Sequence, residues 1–109
     1  MAAEIAKHGG IAVCSPIAPY ADARREVRSM LHPKDIFCLV HVSTPLSICE
    51  RRDVKGLYAK ARAGEIEGFT GVSDPYEPPV APALTIDTTD ELPEFSAGKV
   101  MEWLDEKTR

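Results

Sequence analysis

The sequence has no excess of positive charge. Its 109 residues carry 13 Lys and Arg against 17 Asp and Glu, a formal net charge of −4, which gives no support to coating nucleic acid or an anionic membrane surface. Long apolar runs are missing too. Nothing approaches the roughly 20 residues that span a bilayer, and the N-terminus has no signal-peptide pattern. The default expectation is therefore a cytoplasmic protein without a membrane or nucleic-acid partner. Cys14, Cys38 and Cys49 show no C-x-x-C spacing and are odd in number, which argues against a disulfide framework. Free thiols buried in apolar runs are expected. His8, His32 and His41 stand without a ligand partner at useful spacing, so no metal site is expected from them. Internal repeats and low-complexity tracts are absent. What remains is one small domain at most, with an ordinary hydrophobic content of 44%.

The apolar pattern that is present alternates between helix and strand periods. Met1 to His8 reads as the end of a helix, stopped by Gly9-Gly10. Ile11-Ala12-Val13-Cys14-Ser15 is a continuous apolar run, as in a strand covered on both faces. Pro19 opens a helix through Leu31, with Val27, Met30 and Leu31 on one face. Ile36 to Ser43 is the strongest strand, rich in β-branched residues. Thr44-Pro45 reads as an N-cap followed by proline at the first helical position, leading into a helix from Leu46 to Arg52. Gly68 to Pro82 reads as an extended loop. Leu84 to Asp87 is a last short strand, and Glu94 to Lys107 a closing helix with Val100, Trp103 and Leu104 inward. This order predicts an α/β fold, a parallel sheet flanked by helices. In such sheets ligands bind beyond the carboxyl ends of the strands. Residues 15–20, 53–55 and 87–89 are expected to meet there.

One segment carries chemistry. Lys55 to Gly71 combines three basic side chains, Lys55, Lys60 and Arg62, with four glycines and Phe69. Lys55, Lys60 and Arg62 are expected on a short helix, and a Gly-bounded loop then presents the Phe69 ring. Cations beside an aromatic face on a flexible segment suit an anionic ligand with a flat ring, such as a nucleotide. The same composition also describes a solvated basic helix followed by an ordinary loop.

The surrounding text resembles a known family. Cys14-Ser15-Pro16-Ile17-Ala18-Pro19-Tyr20, Asp53-Val54-Lys55-Gly56-Leu57-Tyr58, Ala61-Arg62-Ala63-Gly64-Glu65-Ile66 and Gly68-Phe69-Thr70-Gly71 followed by Asp74-Pro75-Tyr76-Glu77 are similar to adenylyl-sulfate kinase. The motifs run in that family's order over nearly the whole chain. The resemblance implies a P-loop-kinase-like fold, with ATP and magnesium used to phosphorylate the 3′-hydroxyl of adenosine 5′-phosphosulfate. It implies that Ile17 and Ala18 form a backbone shelf for the sulfated nucleotide and that Lys55 reaches its phosphosulfate. Gly68 and Phe69 resemble a lid turn whose ring stacks on the substrate adenine. Arg52, Thr88 and Thr89 resemble residues around the ATP base. Lys60, Arg62, Thr70 and Gly71 belong to the lid, taken as about residues 55–79. Asp74 to Glu77 reads as a turn that fixes the loop.

The departures from the family are large. The phosphate cradle Gly-x-x-x-x-Gly-Lys-Ser/Thr does not occur, and no catalytic residue is identifiable. The Asp-Gly-Asp strand and the arginine- and asparagine-bearing segment of the family are absent as well. Ala21 stands where the family commonly has arginine. The expectation is an incomplete sheet: residues 1–109 as the substrate-and-lid half of a kinase domain, a fragment inactive alone. Its other half would be a missing N-terminal part, and fusion to a sulfurylase and homodimerisation of the complete enzyme fit the same resemblance. A non-catalytic module that senses the sulfated nucleotide is the alternative, and another small-metabolite kinase a weaker third reading.

Overall fold

The computed structural model describes residues 1–108. Five helices, α1 (Ala2–Lys7), α2 (Ala21–Ser29), α3 (Leu46–Arg52), α4 (Leu57–Arg62) and α5 (Pro93–Thr108), accompany two strands, β1 (Val40–Val42) and β2 (Leu84–Ile86). The strands pair in parallel, with Val40, His41 and Val42 opposite Leu84, Thr85 and Ile86. The connection between them carries α3, α4 and a long loop. The architecture is the expected α/β type with a parallel sheet.

Elements whose stop and start signals are local agree closely with the sequence. Gly9 ends α1 at φ +85°, and α5 lies within one residue of its expected bounds at each end. Elements that depend on partners come out shorter. The strongest predicted strand is paired over Val40–Val42 alone, because β2 offers only three residues opposite. The ladder is extended by Ser43 N–H to the Ile86 carbonyl (2.8 Å) and Ala83 N–H to the Leu39 carbonyl (2.9 Å). Residues 11–15, predicted as a buried strand, form neither strand nor helix. No described strand lies beside them to supply a ladder, and Ile11 and Val13 are 70% and 86% exposed. Cys14 is consequently exposed rather than buried, while Cys38 and Cys49 are half-buried free thiols. Burial pushes the Cys38 thiol up from its ordinary pKa.

Two capping expectations also change. Proline is not the first helical residue of α3 but its N-cap, and Leu46 comes first. Thr44 spends its hydroxyl on Thr88 instead of on the helix. Lys55 lies in the turn before α4 rather than on it, since Gly56 adopts the left-handed conformation at φ +68°, which an α-helix does not continue through.

Packing shows where the fold is open. Among the described residues Ala61 and Ile86 are the buried hydrophobic ones, and Val27 and Met30, placed on one face of α2, are exposed. The chain of 11.9 kDa presents 8328 Å² of accessible surface, whereas a folded monomer of that mass presents roughly 5,900 Å². Its radius of gyration of 15.9 Å exceeds the roughly 13 Å of a compact domain of this length. Among the described residues β1 pairs on one side only, so its second edge and the apolar residues near it are uncovered.

Candidate functional site

Three short-range constructions build the candidate site. The first lies at the carboxyl ends of both strands. Thr44 follows β1 and Thr88 follows β2. Their hydroxyls share a hydrogen bond of 2.7 Å, and the Thr88 N–H donates to the Thr44 Oγ1 at 2.9 Å. Arg52, the last residue of α3, donates from Nη1 to Thr88 Oγ1 (2.7 Å) and from Nη2 to the carbonyls of Thr88 (2.8 Å) and Thr89 (3.2 Å). A planar guanidinium fixed through both terminal nitrogens is a pre-oriented flat cation, the geometry that stacks on an aromatic ring. It separates two open hollows. One of about 530 Å³ is lined by Thr88, Glu91, Pro93 and Ser96 beside Arg52; the other, about 450 Å³, is lined by Ile48, Arg51, Thr89 and Asp90. Arg52 makes no ion pair with the adjacent Asp53, whose carboxylate turns to the amides of α4 instead. Thr89 turns instead to Asp87, whose carboxyl accepts its N–H (2.9 Å) and its hydroxyl (2.5 Å). Those bonds, hydroxyl first, hold the Asp87 pKa below its ordinary value.

On the rim of the first hollow, Glu91 accepts from Lys99 Nζ (2.6 Å) and Ser96 Oγ (2.9 Å). The bond from Lys99, then that from Ser96, lowers the Glu91 pKa. The carboxylate therefore contributes stability above the unfolded value near 4.3 and loses it as pH falls through the lower folded value. We expect Glu91→Gln to flatten that acid limb of the unfolding curve, read from thermal midpoints between pH 3 and 6. A limb identical to that of the unsubstituted chain would show that the contact adds nothing.

The second construction is the lid helix. Asp53 adopts φ +23° at the end of α3 and turns its carboxylate back on α4, where Oδ1 accepts the Tyr58 N–H (2.9 Å) and Oδ2 the Ala59 N–H (3.0 Å). Two of the orphan donors at the helix start are thereby satisfied by one side chain. Asp53→Ala is expected to cost about 0.5–2 kcal/mol of stability, the range for a lost N-cap. Chemical denaturation measures it, and Asp53→Asn, which keeps one acceptor oxygen, should recover only part of the loss. Arg62, a predicted lid cation, is engaged by Glu50 of α3 through Nε (2.7 Å) and Nη2 (2.6 Å), so it anchors α4 to α3. Lys55 and Lys60 are exposed and take part in none of the ion pairs among the described residues.

The third construction is the turn that carries Phe69. Its carbonyl accepts the N–H groups of Val72 (3.1 Å), Ser73 (2.9 Å) and Asp74 (3.0 Å). Its own N–H donates to Ser73 Oγ (2.7 Å), and Gly71 N–H donates to the Asp74 carbonyl (2.7 Å). Thr70 forms a bridge with Asp74. Gly71 is favoured by its φ of +89°, and a Cβ there would also press on Leu46 Cδ1 at 3.0 Å. The Phe69 ring is half-buried rather than free, standing edge-on to Tyr58 with centroids 5.1 Å apart. Burial, with Cys49, Glu50 and Asp53 nearby, raises the Tyr58 pKa and keeps its phenol neutral.

The predicted shelf takes a different form from the predicted strand edge. Ile17 is 68% exposed, so it is not a core residue. Ala18 sits at φ +45°, a left-handed conformation that costs a residue bearing a Cβ of order 1 kcal/mol. The sequence reading passed over Arg24, Glu50 and the Glu91–Lys99 pair, gave Thr44 a different task as a helix cap, and placed Tyr58 and Glu77 in motifs without these contacts. Only Asp53 carried a sequence signal, an acidic residue placed just ahead of a helical run. Among the described residues no three His, Cys, Asp or Glu side chains gather into a metal-binding group. No described helix is long and apolar enough to cross a membrane.

Comparison with known proteins gives this geometry a lineage. The family model for adenylylsulphate kinase matches residues 1–87. The chain belongs to that family. It is 56% identical over 97 residues to an adenylyl-sulfate kinase of Halothermothrix orenii, covering 89% of this chain and 51% of that one. A sulfate adenylyltransferase of Neurospora crassa is 51% identical over 87 residues, covering 80% of this chain and 15% of its own length. Among solved structures, the Mycobacterium tuberculosis APS kinase in complex with AMPPNP and APS superposes with a TM-score of 0.83 at 41% identity, over 90% of this chain and 57% of that chain. The chain thus spans about half the length of the adenylyl-sulfate kinase relatives it matches.

Proposed function

We propose that this chain is the substrate-and-lid half of an adenylyl-sulfate kinase, which transfers the γ-phosphoryl of ATP to the 3′-hydroxyl of adenosine 5′-phosphosulfate. The observation that carries the reading is the shape of residues 52–77, the run with the most specific motifs. Arg52 is fixed flat between two hollows, Asp53 starts the lid helix, and the Gly68–Asp74 turn holds Phe69 on Tyr58. In this reading Arg52, Thr88 and Thr89 flank the ATP base. Ile17, Ala18, Lys55, Gly68 and Phe69 receive the sulfated nucleotide, with Lys60, Thr70 and Gly71 in the lid and Arg62 tying it to α3. Phosphoryl transfer depends on positioning and charge neutralisation. Exposed lysines on a hinged segment supply part of both, and a P-loop-bearing partner segment supplies the rest. The open edge of β1 and the uncovered apolar residues near it are the surface on which that segment would dock.

A second reading is favoured by the Neurospora crassa relative, in which the matched region is a small part of a longer sulfate adenylyltransferase. There the chain would be a non-catalytic sensor of the sulfated nucleotide attached to a sulfurylase. Turnover separates the two. Combined with a P-loop-bearing N-terminal half, the first reading expects magnesium-dependent ATP consumption that requires adenosine 5′-phosphosulfate. The second expects nucleotide binding with no transfer.

A further inference from the structure

Arg24 is the one charged residue among the described residues that is buried, at 8% exposure, and it has no carboxylate partner in the ion pairs. A cation withdrawn from water needs compensating partners. Here they are two backbone carbonyls from distant parts of the chain. Nη1 donates to the Ala18 carbonyl at 2.6 Å, and Nη2 donates to the Glu77 carbonyl, 53 residues away, at 2.5 Å. The guanidinium carbon lies 5.7 Å from the centroid of the Tyr76 ring, and that ring stacks on His41 of β1 at 6.0 Å. Two further bonds close the same junction: Ala21 N–H to Glu77 Oε1 (2.9 Å) and Glu77 N–H to the Pro19 carbonyl (2.8 Å).

The two segments joined here are the strained Ala18 turn and the chain where it returns from the Phe69 loop. A strained turn persists only where its surroundings over-determine it, and Arg24 holds the carbonyl of the strained residue itself. The fork of a guanidinium reaches two acceptors at once, which an ammonium on a flexible stem does not do with fixed geometry. Other buried positions of the chain are apolar, so a charge at this one marks a geometric task rather than core filling.

We propose that Arg24 is a positioning residue that locks the Ala18 shelf to the Tyr76–Glu77 foot of the lid, so that the surface receiving the sulfated nucleotide and the base of the segment closing over it move as one body. The proposal rests on the kinase reading for its ligand but not for its mechanics, and the test separates the two. Amide hydrogen exchange on the 109-residue chain compares the unsubstituted protein with Arg24→Lys and Arg24→Met. In both variants exchange at the Ala21 and Glu77 amides should accelerate together by tenfold or more. The Tyr58 and Thr88 amides, held by Asp53 and Thr44, should keep their rates. Uniform acceleration everywhere would reduce Arg24 to a fold-stabilising residue and overturn the proposal, as would unchanged exchange at Ala21 and Glu77.

The second readout uses the chain combined with a P-loop-bearing half. Arg24→Lys should raise KM for adenosine 5′-phosphosulfate about tenfold and leave KM for ATP within twofold. Equal rises in both constants would overturn the positioning role. If the unsubstituted assembly shows no turnover at all, the kinase reading falls, while the exchange experiment still decides whether Arg24 joins the two segments.

Discussion

The 109-residue chain alone is expected to transfer no phosphoryl group from ATP to adenosine 5′-phosphosulfate above the uncatalysed rate in a coupled assay with magnesium. This is the largest effect anticipated, since enzymes of ordinary efficiency accelerate their reactions by a million-fold or more. The reasoning is chemical. Charge develops on the transferring phosphoryl oxygens, and a kinase of this class stabilises it with a glycine-rich backbone cradle, a lysine and a bound metal ion. The sequence contains no Gly-x-x-x-x-Gly-Lys-Ser/Thr. The cations that remain, Lys55 and Lys60, are exposed to water, where a charge interaction is weak compared with one in a closed site. Adding a P-loop-bearing half should bring turnover up from background. Clear turnover by the 109 residues alone would overturn the half-enzyme reading.

Phe69→Ala is expected to weaken binding of the sulfated nucleotide by about 1–3 kcal/mol in the combined enzyme, the range for an aromatic side chain that stacks on a base. The turn explains why this ring is poised for the task. Three N–H groups converge on the Phe69 carbonyl, so its backbone is held independently of what its side chain touches. Tyr58 meets the ring edge-on, an arrangement worth about 0.5–1.5 kcal/mol beyond area, and steadies the ring. Truncation removes both contacts. Phe69→Leu distinguishes them, because it keeps apolar bulk against Tyr58 and loses the flat face. Equilibrium titration with adenosine 5′-phosphosulfate should rank affinity as Phe, then Leu, then Ala. Equal affinity in all three would return Phe69 to a purely structural role.

What was legible in the sequence followed from local rules. The α5 helix, the Gly9 stop, the α3 helix and the parallel pairing of the two paired strands depend on residues within a few positions of each other or on alternation that one chain displays. Arg52, Thr88 and Thr89 were grouped by resemblance, and the structure brings them together. Two failures are local, Pro45 as N-cap and Lys55 ahead of the left-handed Gly56; the larger ones are non-local. Residues 11–15 have the composition of a covered strand, but composition does not supply a neighbour. Without one the described backbone forms no ladder and Cys14 is exposed. Thr44 has the identity and position of a cap, yet its hydroxyl found Thr88 across the strand ends. Helical spacing puts Arg24 on the Val27–Leu31 side of α2 and Arg25 away from it, but side-chain type gave no reason to expect an arginine to be the buried residue. Arg62 was placed in the lid, and its contact with Glu50, twelve positions earlier, had no local signal.

The uncovered edge of β1 also governs what a stability measurement on this protein reports. A surface roughly 2,400 Å² larger than a monomer of this mass presents is surface whose burial belongs to the folding free energy of whatever assembly covers it. With a P-loop-bearing segment docked there, as proposed above, folding and association would be one equilibrium. The melting temperature becomes a function of partner concentration, and a partner present at a hundred times its dissociation constant adds about 2.7 kcal/mol. Substitutions far from any ligand, at Val42 or Val13 for example, would alter apparent nucleotide affinity simply by changing how much of the chain is in the assembled state.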